Sequence, residues 1–323
     1  MNKYLKRQYY ENDNTFYTHK ASISCWEQME YQSLRDFDID YFLVFCDDIN
    51  IKYKKEECYV STHDLNLNSE IFVYHCLTQN AKEAEKVIDE ILQMGKIVIF
   101  RTASDFLRTS CWYHENEPYT HILHNAIIIG ENNDFYFYVD SPPMRNKQYF
   151  ISHPDNPVVG CIMRKELLES FSYACEIGYI EINEQKLGNI ADIGTILKNI
   201  KKYFYYKSND NVLVGKEALV NFMEYLGGGY NAEEVLSDPF PFNLIAARHK
   251  KLDICIDKYV SFFSDYKYIK LKKYLRQLIE NWNIFEVLAI KYGISEKIIC
   301  ERKMSNLLKT KIIPLTEELI DII

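Results

Sequence analysis

No run of apolar residues in this chain approaches the ~18 needed to cross a bilayer as a helix, so nothing in it reads as a membrane span. The opening stretch, MNKYLKRQYYENDN, lacks the apolar centre of a signal peptide, and the expected location is the cytoplasm. Positive charge is in deficit: the formal net charge of −8 argues against a nucleic-acid backbone as the main partner. The short basic runs at Lys201-Lys202 and Lys270–Lys273 read as solvated helix faces. The nine cysteines are odd in number and show no CxxC spacing, which excludes a regular disulfide frame or a zinc site. In a reducing compartment they stay thiols, most of them expected as small buried hydrophobes. His63, His75, His114, His153 and His249 have no ligand-like spacing, so no metal site is expected. There is no internal repeat and no low-complexity segment. Gly227-Gly228-Gly229 follows no strand of a phosphate-binding kind and reads as a helix end.

What is present is enough apolar material for a core. With 323 residues, 47% hydrophobic and 26% charged, the chain has room for two domains or one large one. Its first part mixes β-like runs (Tyr41–Cys46, Glu57–Ser61, Ile71–His75, Lys96–Arg101, Gly178–Ile182) with helical patterns at Ala81–Met94 and Arg164–Tyr173. In the first helix Ala84, Val87, Ile88 and Ile91 share a face, and Gly95 ends it. From Asn189 onward the spacing is helical throughout: Ile190–Tyr206, Gly215–Leu226, Asn243–Phe263, Tyr268–Tyr292 and Ser295–Leu308. This predicts a mixed domain over 1–185 followed by a helical domain over 186–323. The large apolar helices of the tail permit a homodimer without requiring one.

The stretch from Tyr119 to Pro143 organises the first domain. Two runs rich in β-branched and aromatic residues, Asn125–Ile129 and Phe135–Val139, flank Gly-Glu-Asn-Asn-Asp and predict a hairpin. His124 opens the first strand and Asp140 closes the second, so a carboxylate would meet an imidazole and fix its tautomer. A nucleophile is available upstream. Ser24 is a plausible N-cap, and Trp26, Met29, Ser33 and Phe37 recur at helical spacing, which starts a helix at or just after Cys25. A thiol there feels the positive end of the helix dipole, which favours thiolate. The long connection over Thr102–Pro118, with Trp112, Tyr113 and His114, reads as a lip facing substrate. Cys, His and Asp in that chain order suit a papain-like nucleophile, base and orienter. His121 is the rival base, but it sits in the polar approach, whereas His124 abuts the apolar strand.

These residues carry a resemblance. His124-Asn-Ala-Ile-Ile-Ile-Gly130 followed by Phe135-Tyr-Phe-Tyr-Val-Asp140-Ser-Pro resembles the pattern of papain-like C39 cysteine peptidases. It is more similar still to the N-terminal domain of the butirosin biosynthesis protein H family. The lead-in Gly95-Lys-Ile-Val-Ile, Trp112, Tyr119, and His121 before His124 fit that layout, and NIADIGTILKNI and GKEALVNFMEYL resemble the domain that follows in the family. The resemblance implies an α+β, C39-type papain-like fold with an antiparallel sheet, followed by an all-helical domain. It implies a cysteine acyltransferase that takes an acyl or peptidyl group from the phosphopantetheine arm of a carrier protein and gives it to a small-molecule amine, forming an amide in secondary-metabolite biosynthesis. No cofactor of the enzyme's own is implied. Cys25 would be nucleophile, His124 general base and acid, and Asp140 its orienter. Trp112 and Tyr119 would be substrate-binding, and His121 would line the acceptor pocket or simply face water. The C39 relatives carry Gln six residues before the cysteine as an oxyanion donor; His19 stands there in this chain, and its imidazole N–H would take that part beside the backbone N–H of Cys25. Ser24 stands where the family often has His. Two alternatives follow from the same residues: a peptidase or thioester hydrolase, in which water resolves the acyl-enzyme, and a catalytically inactive binding module.

Overall fold

The structure, a computed structural model, describes residues 3–4, 29–30, 33–34, 43–44, 49–54, 59–62, 71–108, 123–139, 159–187, 192–205, 211–228, 232–236, 240–294 and 297–323. It is a mixed α+β protein with antiparallel sheets and a helical C-terminal region. In chain order the strands are β1 (Lys3–Tyr4), β2 (Ile51–Lys54), β3 (Tyr59–Thr62), β4 (Phe72–Thr78), β5 (Val98–Ala103), β6 (Leu123–Glu131), β7 (Phe135–Val139), β8 (Val159–Met163), β9 (Glu176–Ile182) and β10 (Val212–Val214). The helices used below are α1 (Ala84–Gln93), α2 (Arg164–Ser170), α3 (Ile193–Phe204), α4 (Gly215–Gly227), α5 (Phe240–Lys258), α6 (Asp265–Ile294), α7 (Lys297–Leu307) and α8 (Ile313–Ile322).

Two compact units emerge, and the chain passes between them more than once. Met1–Ile39 with Ser69–Glu184 make a sheet unit, and Asp40–Asn68 with Gln185–Ile323 make a helical unit. The expected contiguous blocks, 1–185 and 186–323, differ from this division over 40–68. The cause is strand pairing: β2 is hydrogen-bonded to β3 on one side and to β10 on the other, Tyr53 lying opposite both Val60 and Leu213.

In the sheet unit, seven of the described strands form one antiparallel sheet in the order β4-β9-β5-β6-β7-β8, with β1 added to the far end of β6. One face is covered by α1, whose Ala84, Val87, Ile88 and Ile91 pack on Val98, Phe100, Ala126, Ile128, Tyr136 and Tyr138. Those four helix positions are the ones the spacing predicts. Gly95 follows at φ +72°, a left-handed turn that costs glycine little and turns the chain into β5. The opposite face is buried as well, at Ile99, Ile127, Ile129, Phe137 and Val139. Burial on both sides explains why the central strands read as continuous apolar runs rather than alternating ones.

The rim of this unit is tied by one guanidinium. Arg164 donates to Glu131 at 2.6 Å, to both oxygens of Asp89 at 3.0 and 3.2 Å, and to Glu85 at 3.2 Å, while its plane lies 4.5 Å from the Tyr136 ring centre. Burial, then the neighbouring Glu131, raise the Asp89 carboxyl above its ordinary range.

The helical unit packs around aromatics. Phe222 of α4, Phe242 of α5 and Phe285 of α6 meet with ring centres 4.7 to 6.1 Å apart, and Trp282 and Tyr53 join them. Gly215 opens α4 at φ +61°, where a Cβ would stand 2.5 Å from the Phe204 carbonyl, so only glycine fits. Two expectations are corrected in this unit. Within the predicted strand Tyr41–Cys46, Leu43 and Val44 are helical; a short buried apolar run has no period that separates strand from helix. Within the Lys270–Lys273 run, Lys272 is buried and paired with Asp253 and Asp257 across α5 and α6, not solvated.

Candidate functional site

His124 is the second residue of β6 and is 3% exposed. It is the one candidate site residue among those described: Cys25, Asp140, His19, His121, Trp112 and Tyr119 lie outside them. The predicted hairpin is present, with β6 and β7 antiparallel, Ile127 opposite Val139 and Ile128 opposite Tyr138, and a bulge before Gly130. Of the helix predicted from Cys25, Met29, Glu30, Ser33 and Leu34 are helical and buried, and the Ser33 hydroxyl donates to the Met29 carbonyl at 2.9 Å.

The position of His124 follows from register. Along β6, residues 124, 126 and 128 alternate onto the face where Ala126 and Ile128 meet α1. Across the ladder, Val98, Phe100 and Thr102 lie opposite Ile128, Ala126 and His124 in turn. The helix-covered face is therefore apolar for two rungs and polar at the third. Thr102 is fully buried, and its hydroxyl is 2.5 Å from that of Ser170 on α2, which in turn donates to the Leu167 carbonyl at 2.6 Å. Beyond Ala103 a short 3₁₀ turn, Ser104–Phe106, buries Ser104 and Asp105 as well. Five buried polar side chains thus gather at one end of the sheet: Thr102, Ser104, Asp105, His124 and Ser170.

Four of these five are not singled out by the sequence. KIVIFR ends the predicted strand at Arg101, whereas β5 runs on to Ala103. The missed signal is alternation: Val98 and Phe100 place Thr102 next on the same face, and a Ser-Asp pair directly after a central strand arrives at the sheet end already buried.

Of the described thiols, Cys255 and Cys300 are buried, while Cys161 and Cys175 are half-buried and Cys76 is exposed, so the expected general burial holds for two of the five. Burial pushes the Cys161 thiol up and takes that of Cys175 to about 11; Cys76 is raised by partial burial and by Glu176. Among the described residues no group of three or more His, Cys, Asp or Glu side chains could hold a metal ion, and no helix is long and apolar enough to cross a membrane. A scan against models of known protein families and a search of curated proteins give no match for the chain.

Proposed function

We propose that this protein is a cysteine acyltransferase of the butirosin biosynthesis protein H kind, on a C39-type papain-like scaffold, moving an acyl or peptidyl group from a carrier-protein thioester to an amine. The observation that supports this most is the cluster of buried polar side chains around His124, at the end of central strands whose other residues facing α1 are apolar. Every buried polar side chain gives up water and has to be matched inside the fold, as Thr102 and Ser170 match each other, so five gathered at one strand end are more economically read as a working site than as core.

In this reading the Cys25 thiolate attacks the thioester carbonyl, and the pantetheine sulfur leaves with the proton held by His124. The acceptor amine then attacks the acyl-enzyme; its N–H proton passes to His124 and on to the departing Cys25 sulfur, and the amide is released. Asp140 holds the imidazole, and the N–H groups of Cys25 and His19 bind the oxyanion. The helical unit would bind the carrier or the acceptor.

The test is incubation with an acyl-pantetheine thioester, with and without a panel of amines, followed by mass spectrometry of the peptides. The expected result is an adduct on Cys25 that is absent in Cys25→Ala and forms about 100-fold more slowly in His124→Ala. Release as amide marks a transferase, and release as free acid with every amine marks a hydrolase and overturns the transfer step. An adduct undiminished in Cys25→Ala, or none at all, overturns the proposal.

A further inference from the structure

The longest helix among the described residues, α6, is apolar on one face and carries exposed apolar residues on the opposite one. Leu271, Leu275, Leu278, Trp282, Phe285, Ala289 and Tyr292 follow one another in alternating steps of four and three residues and are all buried in the helical unit. A second seam with the same alternation runs through Gln277, Glu280, Ile284, Val287, Lys291 and Ile294 on the solvent side. Ile284 is 51% exposed, Val287 48%, Ile294 80% and the flanking Ile290 44%. At the start of α7, Ile298 and Ile299 are exposed as well. A solvent-facing helix surface needs none of these apolar residues for its own unit, and Ile284, Val287 and Ile294 fall on one seam with steps of three and seven.

We infer that this outer seam of α6 is a self-association surface, on which α6 of a second copy of the chain lies antiparallel. The two charged positions of the seam decide the occupant. In an antiparallel pair, Ile284 faces Val287 of the other copy, and the two-fold axis repeats the contact. The same register brings Glu280 opposite Lys291 of the other copy, twice, at the two ends of the apolar layers, with Gln277 opposite Ile294 beyond. A parallel pair would set Glu280 against Glu280 and Lys291 against Lys291, like charges on both sides. The seam is thus complementary to itself in one direction, which is what an isologous interface requires. Its length, about 25 Å from Gln277 to Ile294, puts the contact at the small end of specific interfaces, and the dimer is expected to form at micromolar concentration.

The test is sedimentation velocity of the full chain across a concentration series, with thermal melts of each variant to show that it is folded. The wild-type chain is expected to shift from monomer to dimer, and Val287→Glu to stay monomeric at all concentrations while melting like the wild type. Glu280→Lys and Lys291→Glu are each expected to weaken association at least about tenfold, and the double exchange to restore it, because the pairs are re-formed with reversed sign. In a parallel dimer the single exchanges would swap one repulsion for another and change nothing, so insensitivity to them overturns the antiparallel register. A wild-type chain that remains monomeric, or a dimer undisturbed by Val287→Glu, overturns the inference and assigns the seam to a different partner.

Discussion

The sheet unit and the helical unit handle buried polarity in opposite ways. In the sheet unit the interior between helix and sheet is apolar, the carboxylates stand at the rim around Arg164, and the buried polar side chains of β5, β6 and α2 concentrate at one strand end. In the helical unit three cations are inside: Arg248, Lys251 and Lys272 are each less than a tenth exposed, and buried His249 shares a small cavity with residues of β2, α3, α4, α6 and α8. The difference is one of distribution: buried polarity is concentrated at one strand end in the sheet unit and dispersed in the helical unit. Of these buried cations, Lys272 of α6 is paired with Asp253 and Asp257 of the facing α5. The polar side chains near His124 are crowded where packing alone would have put leucine.

The contrast predicts where each unit breaks. The largest effect is expected from Phe285→Ala, which opens a cavity among Phe222, Phe242 and Trp282 and removes about 4 kcal/mol, read by denaturant unfolding. A loss below that of an ordinary surface substitution would mean that the aromatic cluster does not hold the helical unit together. Next comes Arg164→Ala. It leaves Glu85, Asp89 and Glu131 facing one another at a partly buried rim, for an expected loss of about 3 kcal/mol, of which Arg164→Lys should recover only part because an ammonium cannot grip both Asp89 oxygens and Glu131. Adding Asp89→Asn to Arg164→Ala should restore stability; a further decrease would show that repulsion among the carboxylates is not the cause.

Acid should find the helical unit through His249. Its Nδ1–H donates to the Ile245 carbonyl at 2.8 Å, and its ring borders a cavity of about 10 Å³ lined by Asn50, Phe204, Gly215, Leu219, Trp282 and Thr316, none of them charged. Burial holds this imidazole at about 4, below its usual 6.5. The folded state therefore resists protonation that the unfolded chain accepts, so stability is unaffected above pH 6.5 and falls as pH drops toward 4, by about 2 kcal/mol at pH 5. Unfolding by urea at several pH values checks this: His249→Gln, which keeps a donor to the carbonyl, should flatten the slope between those limits, and an unchanged slope would assign it to other groups.

Much of this architecture was legible, for reasons that differ by element. The α1 face read correctly because Ala84, Val87, Ile88 and Ile91 obey one period against one sheet. The β6–β7 hairpin read correctly because β-branched and aromatic runs flank a turn, and Asn132 caps that turn with bonds to the N–H groups of Asp134 and Phe135. His124 at the head of β6 was legible for the same reason. Thr102, Ser104, Asp105 and Ser170 were not, because neighbours across a sheet come from distant parts of the chain and a polar residue does not announce its burial. The joining of 40–68 to the helical unit was hidden likewise: β10 is three residues long and carries no local sign of its partner β2. The last helix, α8, falls within the expected helical domain but beyond the last helix given bounds; its Pro314 sits in the first turn, where proline removes no needed donor.

The smallest expected effect concerns Lys272, the lysine whose surroundings the sequence hid most completely. Its ammonium donates to Asp257 at 2.7 Å and to the Asp253 carbonyl at 3.1 Å, and it is ion-paired with the Asp253 carboxylate. Burial raises the Asp253 carboxyl more than Lys272 lowers it, so the pair is already near break-even. Asp257 is half exposed and can turn to water when the cation is gone. Lys272→Met, which refills the apolar stem, is therefore expected to cost only about 1 kcal/mol at pH 7. Asp253 without its cation has a folded pKa raised further, so the variant keeps its stability below the ordinary carboxylate range and loses it as pH rises through that raised value; the deficit should shrink on acidification. Replacing both partners, Lys272→Met with Asp253→Leu, should bring stability back to that of the wild type in urea unfolding. A double variant less stable than either single one would show that the buried charges bind α5 to α6 more strongly than an apolar contact of the same shape.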